Sequence, residues 1–414
     1  MNWVKRSGAL ALTAAMGLGI AGCGGTTTPS NASGNSHGKV VVWSYLTEPE
    51  VQVLQTEAAA WAKSTGNQAQ VIFEPGTNFQ QYATAAHSGK GPDMVFGIPN
   101  DNLGTFYTAG LLAKVPANAI DPSQYALAAL NATRYSGVQY AVPLDLETYG
   151  LFYNKTLVPN PPQTFTQLIA DAKQLDKTPG QYGFQYDINN FYYSYAFISG
   201  FGGYVFGGSK GHLNPQNIGL DNAGAVQGLA YIRSFVTDGL MPADINGNIA
   251  TANFAKGKLG MIIDGPWDIS MYEKAGIKFG IEPLPTLPNG QHPGSFFGTQ
   301  AAFVSSTVSA TDQTLAWSLM HYLVKHSTMG LLQAGNRIPA LASAQPAAIA
   351  SDPYLRPIIE QAQWAQPMPN IAQMSAVWTP GADTLLEVTK GAESPAAGAQ
   401  NMVKEIRAGI AQLQ

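Results

Sequence analysis

Charged side chains are scarce in this chain: Asp, Glu, Lys and Arg make up 12% of its 414 residues, about half the ~25% usual in soluble domains. Solubility must then rest on Asn, Gln, Ser, Thr and Tyr. Fewer carboxylates also means less stability to lose when acid protonates them, which predicts an acid-tolerant fold. Basic clusters are missing too. The formal net charge is −4 and Lys and Arg are nowhere bunched, which argues against nucleic acid as a partner. A single cysteine and six histidines without a close pair at ligand spacing offer no metal site, and no cofactor is expected. No period of ~20–50 residues repeats itself, so solenoids and propellers drop out. Beyond the N-terminal segment no apolar run reaches the ~20 residues of a membrane span, and the rest of the chain is expected to be soluble.

What is present begins with an address. Lys5 and Arg6 form a short basic region, Ala9 to Ile20 is apolar but too short to span a bilayer, and residues 1–22 read as a secretory signal peptide. The segment closes on Ile20-Ala21-Gly22-Cys23, which resembles the lipobox of bacterial lipoproteins, where the cysteine becomes the lipid-bearing N-terminus. Cys23 is thus the expected lipidation site and membrane contact. Residues 24–37, GGTTTPSNASGNSH, hold no large apolar side chain, so residues 23–38 are expected to form a flexible tether. The remainder is placed outside the cytoplasm, anchored to the outer face of the bacterial cytoplasmic membrane. Its roughly 390 residues allow two or three domains.

Val40 to Tyr45 is a short β-rich run, and Thr47 and Glu50 have the spacing of a capping box that opens a helix. Val51, Leu54, Ala58 and Trp61 fall on one face of that helix, and Gly66 stands where it should end. Val71 to Phe73 reads as the next strand, Phe79 to His87 as helix and Met94 to Phe96 as strand. Such alternation predicts a parallel sheet covered by helices on both faces. The pattern restarts at Tyr149 to Tyr153, followed by Pro161-Pro162, a helix that Thr164 caps, a helix from Asp221 to about Val236 and a strand from Leu259 to Ile263. Two α/β lobes are predicted.

Aromatic side chains are densest between Tyr182 and Tyr195. A sugar ring has an apolar C–H face and a hydroxyl rim, so it needs flat rings to stack on and amides or carboxylates to receive hydroxyls. The same segment also suits plain packing between a helix and a sheet. Trp267 follows Asp264-Gly265-Pro266 at a strand end, where Gly-Pro forces a turn and where α/β sheets bind ligands. Asp145 and Glu147, two apart, share a face when extended. They fit one sugar ligand with one surface or hinge charge, or the two acids of a glycoside hydrolase set ~5–9.5 Å apart. No partner that would raise the pKa of one acid is identifiable, so an enzyme is not expected.

From Lys39 to the C-terminal helix the chain resembles the maltose/maltodextrin-binding proteins of bacterial ABC importers. Carrying the likeness are Gly89-Lys90-Gly91-Pro92-Asp93, Gly110-Leu111-Leu112-Ala113, Leu151-Phe152-Tyr153-Asn154-Lys155 with Pro161-Pro162-Gln163-Thr164, Gly202-Gly203-Tyr204, Gly265-Pro266-Trp267, and MPNIAQMSAVW at 368–378. The resemblance implies an α/β, two-lobed periplasmic-binding-protein fold of type II, each lobe a mostly parallel sheet flanked by helices, joined by a hinge. The N-terminal lobe would comprise 39–146 and 302–337, the C-terminal lobe 147–301 and 338–414. Trp267, Trp378 and Tyr192 fall on sugar-stacking rings, Glu147 and Asp101 on carboxylates that receive sugar hydroxyls, and Glu48 near a further polar contact; Asp145 is a ligand candidate beside Glu147. A monomer is implied that closes on maltose or maltodextrin and presents it to the permease subunits of an ABC importer. Asn78, Asn102 and Ala382 stand where the family has basic contacts, Asn190 where it has an acidic one, and Ile98 or Pro99 where it has another tryptophan. The exact ligand therefore stays open, another oligosaccharide or a peptide included.

Overall fold

A computed structural model describes residues 38–209 and 212–413; the expected signal segment and Cys23 lie outside them. The chain enters with β1 (Lys39–Ser44), α1 (Glu48–Thr65), β2 (Gln68–Phe73), α2 (Gln80–His87), β3 (Met94–Pro99) and α3 (Asn100–Thr108). α1 buries Val51, Leu54, Ala58 and Trp61, the stripe read from the sequence, of which Val51 and Leu54 each contribute roughly 1.5–3 kcal/mol. Its capping box forms: Glu50 Oε2 accepts from the Thr47 amide at 2.9 Å and from its hydroxyl at 2.7 Å. Gly66 closes the helix in the left-handed conformation.

β4 (Val142–Pro143) and β5 (Asp145–Leu146) lead to a second set of elements: β6 (Gly150–Asn154), α4 (Phe165–Leu175), β7 (Tyr182–Gln185), α5 (Phe191–Gly200), α6 (Ala223–Thr237), β8 (Leu259–Asp264) and β9 (Phe279–Glu282). Thr164 caps α4, its hydroxyl oxygen accepting from the Gln167 amide at 3.1 Å. β10 (Gln300–Val304) then returns to the first sheet. It is followed by α7 (Ala310–Gly335), β11 (Ile338–Pro339), α8 (Trp378–Lys390) and α9 (Pro395–Gln412).

Two larger sheets result, ordered β2-β1-β3-β10-β4 and β9-β6-β8-β7. Within each, strands joined by a helical crossover run parallel: β1 with β2 and β3, and β7 with β8. The others are antiparallel, β10 to both β3 and β4, and β6 to both β8 and β9. The sheets are thus mixed where mostly parallel ones were expected. The parallel rule follows from right-handed β-α-β crossovers, and β10 and β6 enter from the other sheet, outside that constraint.

The segments that pass between the sheets are laced side by side. β5 pairs antiparallel with β11, Leu146 opposite Ile338. Glu147 and Gly298 exchange backbone hydrogen bonds of 3.0 and 2.9 Å. The buried Thr148 hydroxyl lies 2.7 Å from both the Ser295 hydroxyl and the Phe296 carbonyl. Most of the aromatic stretch is core: Phe184, Tyr186 and Phe191 are fully buried, and Phe197 packs edge-on to Phe165 and Phe235 at 5.1 and 5.2 Å.

Candidate ligand-binding site

Aromatic planes meet at the mouth of the second sheet. Tyr192 stands in the first turn of α5, whose N-cap is Asn190, its side-chain oxygen accepting from the Tyr192 amide at 3.1 Å. Trp267 lies on the 3-10 turn Pro266–Asp268 just beyond β8, and Trp378 opens α8. Their rings form a continuous wall through Phe296: Trp267 to Tyr192 6.3 Å, Tyr192 to Phe296 6.1 Å and Phe296 to Trp378 5.8 Å between centroids. Trp267 and Trp378 are half-buried, which leaves ring surface for a ligand to stack on.

The carboxylates arrive from elsewhere. Asp101, in the first turn of α3, is buried, and its Oδ2 accepts from the Trp378 indole N–H at 2.9 Å while Oδ1 faces Asn102 Nδ2 at 3.2 Å. Burial pushes its carboxyl up to about 7, with the indole bond pulling it down and the nearby Glu147 charge adding to the rise. Glu147 and Asp145 sit on the crossing segment, both buried, with Glu50 beneath them at the start of α1. Arg337, just after α7, reaches all three: Nε to Glu50 Oε1 at 2.9 Å, Nε to Asp145 Oδ2 at 3.6 Å, and a short bond from Nη1 to Glu147 Oε2. Three acids thus share one cation. The pairing raises the Arg337 pKa, yet Asp145 and Glu147 are raised too, because burial outweighs a guanidinium divided among three carboxyls.

The expected site residues therefore separate into two groups. Asp101, Glu147, Tyr192, Trp267 and Trp378 come together: the Tyr192 ring lies near enough to Glu147 and Asp101 for both charges to push its hydroxyl up, after burial. Asp145 turns into the fold, its Oδ1 accepting from the Gln300 amide at 3.0 Å. Glu48 is exposed at the first position of α1 and makes no side-chain hydrogen bond among the described residues, while Glu50 faces inward. Sequence reasoning passed over Phe296, Gln300, Glu50 and Arg337. Gln300 Nε2 donates to Glu147 Oε1 at 2.9 Å, leaving Gln300 Oε1, like the Tyr192 hydroxyl, buried with no partner among the described residues. Buried polar atoms demand partners. No group of His, Cys, Asp or Glu among the described residues is arranged to hold a metal ion. A groove of about 380 Å³ around His292 and Trp364 includes none of the expected residues.

Comparison with known proteins accords with this geometry. Residues 57–357 match the profile of a family described as bacterial extracellular solute-binding protein. The galactooligosaccharide-binding protein of Bacillus subtilis is 32% identical over 95% of each chain. A maltooligosaccharide ABC transporter solute-binding lipoprotein of Streptococcus pneumoniae is 29% identical over 99% of this chain and 98% of that one. Among solved structures, the maltose-maltodextrin binding protein of the thermoacidophilic bacterium Alicyclobacillus acidocaldarius superposes with a TM-score of 0.83 at 42% identity, covering 89% of this chain and all of that one. The resemblance read from the motifs and the two-lobed type II fold are both borne out. Its matched length and its sheets, crossings and aromatic wall make this chain a member of the bacterial extracellular solute-binding protein family.

Proposed function

We propose that this chain is the lipid-anchored substrate receptor of an ABC carbohydrate importer, binding a maltose- or maltodextrin-type oligosaccharide between lobes 39–146 with 302–337 and 147–301 with 338–414. The carrying observation is the aromatic wall Trp267–Tyr192–Phe296–Trp378 beside Glu147, with the Tyr192 hydroxyl and Gln300 Oε1 unpartnered. Trp267, Tyr192 and Trp378, backed by the buried Phe296, stack on sugar C–H faces, Glu147 and Asp101 accept hydroxyls, and Gln300 and Tyr192 complete their partners. Stacking contributes roughly 0.5–1.5 kcal/mol per ring beyond buried area and a hydrogen bond to a charged group about 1.5–3. A handful of such contacts supplies the ~8 kcal/mol of a micromolar site. A sugar that touches both lobes has higher affinity for the closed form and shifts the hinge toward it, and the permease subunits read that form. Cys23 tethers the receptor to the outer face of the membrane.

A second ligand class, galacto-oligosaccharide, is favoured by the similarity to the Bacillus subtilis protein named for that sugar. Asn78, Asn102 and Ala382, standing where charged contacts were expected, leave room for it. Calorimetric titration with maltotriose, a galacto-oligosaccharide and a short peptide decides among them. Heat on mixing with maltotriose is the expected result; heat from the galacto-oligosaccharide alone reassigns the ligand, and none from either sugar removes the proposal. Incubated maltotetraose should keep its length, since both Glu147 oxygens are held by Gln300 and Arg337; shortening by the protein would reveal an enzyme.

A further inference from the structure

The groove of about 380 Å³ that holds none of the expected ligand residues is lined from three stretches of chain: the end of α5 with Ser199, the turn with Gln291 and His292, and the segment with Gln363, Trp364 and Gln366. Two of its rings form a plate. The His292 imidazole lies flat on the Trp364 indole, with centroids 3.6 Å apart and planes 8° apart, and both rings are half-buried. Backbone contacts fix the segments that carry them. The Gly294 amide donates to the Ala196 carbonyl at 3.2 Å, the Ser199 hydroxyl to the Gly294 carbonyl at 2.6 Å, and the Gln366 amide to the Ser295 carbonyl at 2.7 Å. Gly294 has no room for a side chain, since a Cβ there would sit 2.6 Å from Ser199 Oγ. The groove is therefore part of the packed fold and not a gap between loops. It also shares a strand with the aromatic wall, because Phe296 pairs with Gln366. His292 Nδ1 is buried with no partner among the described residues. Lacking an acceptor there, the neutral imidazole keeps its proton on Nε2, which leaves the ring one donor to offer a ligand.

We propose that this groove is a second, weaker saccharide site, in which a neutral sugar unit lies against the His292–Trp364 plate. Its volume falls within the ~300–1,000 Å³ of small-molecule sites. No Asp, Glu, Lys or Arg lines it, so an ionic ligand would lose hydration there without gaining a counter-charge. The lining residues Ser199, Gln291, Gln363 and Gln366 have side chains that both donate and accept, as sugar hydroxyls do. An apolar ligand would cover these groups and leave them unpaired. The plate supplies the flat surface that a sugar C–H face needs. One plate with neutral hydrogen bonds is less than the three rings and two carboxylates of the wall, so the dissociation constant is on the order of 1 mM. The plate and the groove carry this inference without the wall.

The test follows the His292 ring signals by NMR in the full chain, assigned by their loss in His292→Ala, while maltotriose or a galacto-oligosaccharide is added to about 20 mM, well above the expected constant. The same titrations are run on a variant carrying both Trp267→Ala and Trp378→Ala, in which the wall is disabled. The His292 signals are expected to shift in a millimolar phase in both proteins. Trp364→Ala should weaken that phase about fivefold or more, as the loss of a stacking ring does, and leave the tighter binding at the wall unchanged. Should Trp364→Ala fail to fold, Gln363→Ala combined with Gln366→Ala, both at exposed positions, should weaken the same phase severalfold. Signals that stay still with either sugar overturn the proposal. So does a shift that vanishes when the wall is disabled, which would report a movement of the fold and not an occupied groove, and so does a response to sodium phosphate in place of sugar. Absence of the tighter phase from the wild-type chain would count against the wall alone, since the millimolar phase is read separately.

Discussion

Two groups of buried carboxyls lie close to the aromatic wall, and the fold accommodates them by opposite means. Asp145 and Glu147 on the crossing segment, with Glu50 of α1, surround Arg337. At the end of β8, Asp264 and the half-buried Asp268 bound the turn of Trp267; Asp264 is met by two phenols and a backbone amide, and neither acid has an ion-pair partner among the described residues. Acid that must stay charged in the interior needs a guanidinium, whose fork reaches several oxygens at once. The acid at the end of β8 is met instead by hydroxyl and amide donors. Loss of the first device should therefore appear in folding stability, and loss of what the second device carries should appear in ligand affinity.

The sharpest way to break this contrast is Arg337→Met, which strands three carboxyls in the interior. Unfolding by denaturant should show a loss of ~3–5 kcal/mol at neutral pH. Asp145 and Glu147 are raised in the folded state, so the loss should shrink as the pH falls and they take up protons. An unchanged midpoint would mean that the cluster does not depend on its cation. Next in size, Trp267→Ala or Trp378→Ala should weaken maltotriose about tenfold or more, ~1.4 kcal/mol, while melting shifts little because both rings are half-buried. A large melting loss with intact affinity would make them core residues.

Asp101 is a third case, held by an indole N–H rather than a cation or a phenol. With its carboxyl raised to about 7, its contribution to stability is greatest below the usual carboxylate range and is lost as the pH climbs toward 7. Affinity should run the other way, since the charged form accepts sugar hydroxyls more strongly. Between about pH 6 and about pH 8, Asp101→Asn should remove a several-fold pH-dependence of maltotriose binding; a wild-type curve with the same shape as the variant's would exclude it from the site. The smallest effect belongs to the surface. Lys173→Ala breaks the exposed 3.1 Å pair with Asp238 and should cost under ~1 kcal/mol in denaturant unfolding, a baseline against which the Arg337 loss is judged.

Local signals were legible wherever one residue type does one job. The Thr47–Glu50 box, the α1 stripe and the Thr164 cap all stand where spacing put them. So does the turn at Gly265-Pro266, which carries Trp267 beyond its strand. Within the aromatic stretch the sequence could not sort rings: Phe184 and Phe191 went to the core and Tyr192 to the wall, a division set by which face of the helix or strand each occupies against its neighbours. Glu50 and Arg337, 287 residues apart, carry no mutual signal along the chain, and Phe296 and Gln300 look like ordinary strand residues until the crossing segments pair.

By itself the sequence determined the α/β alternation, the break between two sets of elements and the supply of aromatic and acidic side chains. Those follow from period, capping and composition, which act over a few neighbouring residues. Only the tertiary structure decided which strands reverse direction, which acids meet a cation and which rings are left uncovered. Each of these depends on groups brought together by packing, and the energy of a charge is set by what surrounds it in space.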